Sequence, residues 1–401
     1  MRTGGLPAVA VLAFVLAAGV SREPVLVVLA ASSAAAWIVV ELTGRLALRG
    51  VEVDARIEPE RLVAGEIAVL AISIVNRKPL AMPWLELALE LPEGIETEQT
   101  RLGVPRTVVT AGFAPRAHER ATLRIRLRVA QRGAYRIGSL RLRAGDWLGF
   151  TQEERRVELG LPVVAYPAPI VVPDRFRAAL RPVAEASARR GLVPDPLRFR
   201  GVREHRAGDP KKEIHWKTSA RLRTLQTKVY EPASSLDTVF LLNVASYAQF
   251  WIQADPEAVE TVISATARLA RIASGAGRQV GLITNGLDNV THERPRAALG
   301  RGPRPLQRTL EILARLGPYA ANSPEAVFLR ERGRLSVGAT LVVVTPVLPS
   351  ALAEACVALR RAHHRVLVLS VAPVNDAVIA RLHGADVVCE ALAAGERARG
   401  A

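Results

Sequence analysis

Residues 239–245 read VFLLNVA, and runs of the same kind return three times: QVGLITN at 279–285, TLVVVTP at 340–346 and RVLVLSVAP at 365–373. Each is short and almost wholly apolar, which predicts a strand covered on both faces. Helical stretches fall between and after them, at 256–272, 305–316, 324–332, 351–362 and 376–382. Continuous apolar strands alternating with helices predict a parallel sheet with helices on either side over residues 237–392. Gly275-Ala276-Gly277 before the second run has the composition of a helix C-cap. No G-x-G-x-x-G and no Walker lysine follows the first run, so a nucleotide site has no support.

Upstream the period changes to two. In ATLRIRLRV, Leu123, Ile125, Leu127 and Val129 share one face, and Arg124, Arg126 and Arg128 the other. VEVDARIE, EIAVLAISIVN, LELALEL and RRVELGLPVVAY repeat the pattern, with turn residues at Pro92-Glu93-Gly94, Gln131-Arg132-Gly133 and Gly145-Asp146. Short strands at this spacing without helices predict an antiparallel β-sandwich of immunoglobulin-like size over residues 50–165. PVVAYPAPIVVP (162–173), with four prolines, predicts a stiff extended connector at a domain boundary.

The N-terminus is lipid-like. LPAVAVLAFVLAAGV (6–20) and VLVVLAASSAAAWIVV (25–40) are uncharged apolar runs broken by Ser21-Arg22-Glu23-Pro24. Two such runs with a tight break predict a transmembrane helical hairpin over residues 1–49, in contact with the bilayer through residues 6–40. A cleaved signal peptide is the competing reading, disfavoured by the second run. Arg2 precedes the first run, and Arg45, Arg49 and Arg56 follow the second. The positive-inside rule then predicts a multi-pass protein of the cytoplasmic membrane with its soluble domains in the cytoplasm.

Between sandwich and sheet, in residues 166–236, lies the stretch with most individuality: RFRGVREHRAGDPKKEIHWKTSARLRTLQTK (198–228), ten Lys or Arg against three acids. Gly208 loosens the chain, Asp209 has the chemistry of an N-cap and Pro210 suits a first helical position, predicting a short helix over 211–221. Trp216, beside Ile214, reads as a buried anchor. The formal charge of +16 invites an acidic partner. Only five of the 54 basic residues are Lys, however, and four of these (Lys211, Lys212, Lys217, Lys228) fall within this stretch. A compact ammonium is favoured there over a planar guanidinium.

The spacing R-x-H-x-x-G-D-x-x-x-x-I-H-W-K-x-x-A-R (Arg203, His205, Gly208, Asp209, Ile214, His215, Trp216, Lys217, Ala220, Arg221) resembles the hallmark of the bacterial domain-of-unknown-function family number fifty-eight. His205 departs from it, since an aromatic Tyr or Phe is commoner at that position. RGAYRIGSLRLRAGDWLGF (132–150) is similar to a segment that precedes the hallmark, and the whole layout resembles the family's. The resemblance implies that the last domain is von Willebrand factor A-like, a Rossmann-like sheet. It also implies association with MoxR-type AAA+ ATPases, in assembling or activating other complexes.

Metal-binding A domains carry Asp-x-Ser-x-Ser after the first strand, because a hard cation needs clustered oxygens. The matching positions here are Asn243, Ala245 and Tyr247, with Ser246 out of step. No metal and no other cofactor is expected. His205, Asp209, Glu213 and His215 could be drawn as a metal or acid–base cluster, but such a site needs three or four converging ligands, and they read instead as structural hydrogen-bonding groups. Cys356 and Cys389 lie in apolar runs without a CxxC and read as reduced, buried thiols. No nucleophile–base pattern appears, so an enzyme is not expected. The expectation is an adaptor that offers Arg203, His205, Lys211, Lys212, His215, Lys217 and Arg221 to a protein partner, with Gly208, Asp209 and Trp216 structural. Anionic lipid head groups are the alternative ligand. Nucleic acid is disfavoured for want of any recognition motif.

Overall fold

The computed structural model describes residues 5–21, 23–97, 108–146, 152–180, 194–206, 209–232, 237–336 and 338–392. The chain divides into two compact units, Met1–Tyr166 and Pro167–Ala401.

The first unit opens with α1 (Gly5–Ser21) and α2 (Pro24–Arg45). Pro24 opens α2, where its missing N–H has no helical acceptor to lose. With 22 residues α2 is long and apolar enough to cross a bilayer, and α1 contributes the shorter apolar stretch Val9–Val20. Among the described residues nine strands follow: β1 (Val51–Glu58), β2 (Arg61–Val63), β3 (Ile67–Asn76), β4 (Leu85–Glu90), β5 (Ile95–Thr97), β6 (Val108–Phe113), β7 (Arg120–Val129), β8 (Gly133–Gly145) and β9 (Gln152–Tyr166). They form two sheets, ordered β1-β3-β7-β5 and β2-β9-β8-β4-β6. Leu70, Ile72, Ile74 and Leu127 of the first sheet share one buried cluster with Leu85, Leu87, Leu89, Leu140 and Leu142 of the second. The arrangement is a sandwich, antiparallel except where β2 joins β9. At one corner the Tyr135 hydroxyl donates to the Gln131 carbonyl at 2.8 Å. Gly94, at φ +88°, lies so close that a Cβ there would strike the Tyr135 ring.

The junction between α2 and the sandwich is built of half-buried polar contacts. Ala47 and Leu48 enter the sandwich core. The Lys78 ammonium donates to the Leu46 carbonyl at 2.9 Å and to the Ala47 carbonyl, capping the helix C-terminus. Arg155 donates to the Leu48 and Val51 carbonyls, while Glu153 accepts the Leu48 N–H. Burial lowers the Lys78 pKa, opposed by the Glu153 carboxylate.

The expected connector over 162–173 needs correcting. Pro162 lies inside β9, paired with Arg136 of β8. Its missing N–H is tolerated because β2 joins the other side of β9 only from Val164. The unpaired backbone begins after Tyr166.

The second unit contains α3 (Asp174–Ala179), β10 (Pro194–Glu204), α4 (Trp216–Leu222), β11 (Gln226–Pro232), β12 (Asp237–Leu242), α5 (Pro256–Gly275), β13 (Gln279–Thr284), β14 (Gly286–Asp288), β15 (Arg296–Gly300), α6 (Pro303–Arg315), β16 (Leu316–Ala320), α7 (Pro324–Glu331), β17 (Thr340–Thr345), α8 (Ser350–Arg361), β18 (Arg365–Ser370), α9 (Asp376–Gly384) and β19 (Val388–Ala391). Its main sheet has the order β15-β13-β12-β17-β18-β19. The β13, β12, β17, β18 and β19 ladders are parallel, and β15 adds an antiparallel edge. Val239, Leu241, Leu341, Val343, Val366 and Val368 pack with Val327 and Phe328 of α7, Leu352 and Cys356 of α8 and Leu382 of α9. The alternate residues Phe240, Leu242, Val342 and Val344 are equally buried and point to the opposite face, where α5 lies. That two-sided covering is why these strands read as unbroken apolar runs.

Candidate functional site

The hallmark stretch is a β-hairpin whose two strands are separated by a folded excursion. In β10 and β11, Val202 pairs with Lys228, Arg203 with Thr227 and Glu204 with Gln226. Between them come a 3-10 turn at Lys211–Glu213, the extended Ile214, the cap residue His215 and α4. The Arg203 guanidinium donates to both Asp209 carboxylate oxygens, at 2.7 and 2.6 Å. The Arg206 N–H donates to the same carboxylate at 2.9 Å, and the Thr227 hydroxyl at 3.3 Å. These contacts, Arg203 first, hold the Asp209 carboxyl well below the usual carboxylate range. His205 Nδ1 lies 2.9 Å from the Thr227 Oγ1. The single hydroxyl proton goes to Asp209, so His205 donates from Nδ1 and the three groups form one chain.

His215 is the N-cap of α4: its Nδ1 accepts the Thr218 N–H at 3.1 Å. Its own N–H donates to the Gln226 carbonyl at 2.7 Å. Ser219 donates to the His215 carbonyl and accepts the Gln226 N–H, locking α4 onto β11. Arg223, at φ 55°, ends the helix in the left-handed region.

Three expectations are corrected here. Asp209 does not cap a helix, because its carboxylate turns back to Arg203 and Arg206. The helix begins at Trp216, not at residue 211, since Ile214 is extended at ψ 129° and bridges to Thr227. Trp216 is not a buried anchor. It is 68% exposed, whereas Ile214 is 6% exposed and takes the inward place. Gly208 lies outside the described residues. Of the residues expected to meet a partner, Arg203, His205 and His215 are committed to the segment's own fold. Lys211, Lys212, Lys217 and Arg221 are exposed and carry no ion pair among the described residues. The two strands themselves are not part of the sequence reading. The alternation Leu197, Phe199 with Arg198, Arg200 is the signal that marks the first.

A second feature lies at the carboxyl ends of the parallel strands. β12 has its sequence neighbour β13 on one side and β17 on the other, so the winding reverses beside it, where α/β sheets open a crevice. Asn243 sits there, 1% exposed. Its Nδ2 donates to the Thr345 Oγ1 at 2.8 Å, and its Oδ1 accepts from the Ala245 N–H and from Asn285. Asn285 in turn accepts the Val244 N–H and donates to the Asn322 carbonyl. Neutral amides and a hydroxyl thus saturate one another at this edge. Among the described residues no group of three His, Cys, Asp or Glu could hold a metal.

The loop leaving that edge is apolar and exposed. Tyr247 is 46% exposed, Trp251 69% and Ile252 60%, with Phe250 packed edge-on to Trp251 at 5.0 Å between ring centroids. Ser246 accepts the Asp255 N–H, and Asp255 caps α5, so the loop is pinned at both ends. Sequence reasoning reached Tyr247 only as a lost ligand position and did not single out Trp251 or Ile252. The signal is a cluster, YAQFWI, that obeys neither strand nor helix period.

An uncharacterized protein, YeaD of Bacillus subtilis (strain 168), is 27% identical over 307 residues, 74% of this chain and 71% of that protein. Among solved structures, the C-terminal domain of wzt covers 29% of this chain and 73% of its own at TM-score 0.21 and 14% identity. The CARDB domain of the PF1109 protein from Pyrococcus furiosus covers 27% of this chain and 92% of its own at TM-score 0.17 and 12% identity. Both scores are too low to bear on the fold. The family described as "Protein of unknown function DUF58" matches residues 201–385, the stretch that runs from the hallmark hairpin through α9. Over these residues, a little under half of its length, the chain is similar to that family.

Proposed function

We propose that this chain is a membrane-anchored adaptor that presents a von Willebrand factor A-like domain to a cytosolic protein partner, a MoxR-type AAA+ ATPase, in the assembly or maturation of other complexes. The observation that carries the reading is the pinned loop with Tyr247, Trp251 and Ile252 exposed at the sheet's switch point. Rigid exposed aromatics at a preformed edge are the usual energetic centre of a protein interface. The saturated Asn243–Asn285–Thr345 network beneath favours recognition without a bridging cation. The strand order with parallel neighbours around β12 supports the A-like assignment.

The anchor is a hairpin of two transmembrane helices. It is supported by Ala18 and Ala30, small residues buried on largely exposed apolar helices, as expected where helices meet in lipid. The half-buried Lys78–Glu153–Arg155 junction then fixes the sandwich to the end of α2.

The test is co-purification of the full-length chain in mild detergent with the ATPase. A Trp251→Ser, Ile252→Ser variant loses two anchors of ~2 kcal/mol or more each, so its affinity falls on the order of 1,000-fold and co-purification is lost. Undiminished co-purification would remove the loop from the interface. A reporter fused after Ala401 reads topology separately: cytosolic behaviour is expected, and periplasmic activity would overturn the orientation.

A further inference from the structure

We propose that α4 and its flanking turns form a second membrane contact, which docks on an anionic lipid surface through Trp216, Leu222 and Leu225 together with Lys211, Lys212 and Lys217. Trp216, Leu222 and Leu225 are 68%, 56% and 49% exposed within ten residues of one another. Between Pro210 and Leu225 stand five cations and one acid, Glu213. All five cations are exposed and Glu213 is half-buried. The fold supplies no cover for this apolar surface and no counter-charge for these cations among the described residues.

A rigid support underlies the display. His215 caps the helix, Ser219 ties it to β11, and Arg203 with Asp209 closes the preceding turn. The excursion is therefore preorganised and presents its Trp and Leu side chains at little conformational cost. Exposed Trp and Leu interleaved with Lys and Arg are the composition of a segment lying in the headgroup boundary.

Charge chemistry selects the occupant. This chain uses Arg almost everywhere, yet four of its five lysines lie between 211 and 228. An ammonium is a point charge without a fixed fork, suited to a fluid array of lipid phosphates more than to one carboxylate of fixed geometry. Single-stranded nucleic acid would need several stacking rings, and Trp216 is the only aromatic of the excursion. α2 is long and apolar enough to cross a bilayer, and the anchor proposed above raises the effective concentration of lipid around the excursion. The inference rests on that anchor and is independent of the Trp251 loop.

The experiment uses the full-length chain reconstituted into vesicles of phosphatidylcholine alone, or of equal parts phosphatidylcholine and phosphatidylglycerol. Each is prepared with and without bromine on the acyl chains. The fluorescence of Trp216 is taken as the difference between wild type and Trp216→Phe. Bromine should quench it in the anionic vesicles, not in the neutral ones, and high salt should relieve the quenching. Lys211→Gln, Lys212→Gln, Lys217→Gln together should shift the docked-to-free ratio by on the order of 100-fold. Absence of quenching in anionic vesicles, equal quenching in neutral ones, or shielding of Trp216 only on addition of the ATPase would overturn the proposal; the last would make this a protein contact. Resistance to alkaline carbonate extraction reads the anchor in the same vesicles, so loss of anchoring is distinguished from loss of docking. Circular dichroism of each variant verifies that the fold is retained.

Discussion

Ile214→Ala and Trp216→Ala, compared side by side, test the inside-out arrangement of the hallmark hairpin. Ile214 is 6% exposed and sits in the bridge to Thr227, itself 1% exposed. Truncating a buried Ile costs ~2–5 kcal/mol, and a site at the rim of a two-stranded sheet belongs at the lower end, ~2 kcal/mol. Trp216 is 68% exposed, so its truncation should stay within ~0.5 kcal/mol despite its larger size. Global unfolding is a poor assay for a chain with two units, because the transition need not be two-state. Native-state hydrogen exchange reads the segment directly. The reporters are the His205 and His215 amides, which donate to the Leu225 and Gln226 carbonyls at 2.8 and 2.7 Å. A loss of ~2 kcal/mol accelerates their exchange about 30-fold in Ile214→Ala. Trp216→Ala should leave both nearly unchanged. Acceleration in Trp216→Ala equal to that in Ile214→Ala would refute the burial argument and return Trp216 to the interior.

The Asp209 carboxyl should titrate below the ~3.9 of an unfolded Asp, so its contribution is complete above pH ~4 and fades as pH falls toward the folded value. Carboxyl NMR reads this, and Arg203→Gln should move the midpoint upward; a wild-type midpoint at or above 3.9 contradicts the pairing. Asn243→Ala orphans the buried Thr345 and Asn285 partners and should cost ~1–3 kcal/mol. Millimolar Mg²⁺ should leave the wild-type Tm in place, since a micromolar site would add ~4 kcal/mol; a shift of that size, abolished by Asn243→Ala, would reveal a cation site. Burial and Cys389 push the Cys356 thiol up to about 12, and burial and Glu390 push Cys389 to about 11. Iodoacetamide at pH 8 should label both only after unfolding, as read by mass spectrometry, and fast native labelling of Cys356 would contradict its burial.

The parallel sheet was legible because strands covered on both faces leave continuous apolar runs. All four runs became strands, and all five helical stretches became helices within a few residues of their expected ends. The antiparallel edge β15 was not, since an edge strand needs no such run. In the sandwich, β1, β3 and β7 followed from alternation, while β2 and β5, three residues each, are too short to show a period. The hallmark segment was misread for one physical reason. Asp209-Pro210 has the composition of a helix start, but the bidentate bond from Arg203, six residues upstream, turns the carboxylate away from the following amides. Capping passed to His215, a residue that composition alone does not nominate. Once the helix starts at Trp216, the ring faces outward and Ile214 faces in. The polar junction at Lys78, Glu153 and Arg155 was invisible because its partners lie up to 107 residues apart.

The central claim is that the loop at the sheet's switch point meets a cytosolic AAA+ ATPase. A photo-crosslinking amino acid placed at Trp251 of the full-length chain in living cells tests it at the atom level. Illumination should give an adduct between this chain and the ATPase, identified by mass spectrometry. The same probe at Val388, exposed on the far edge strand, should give none. No adduct from position 251, or equal adducts from both positions, would contradict the account.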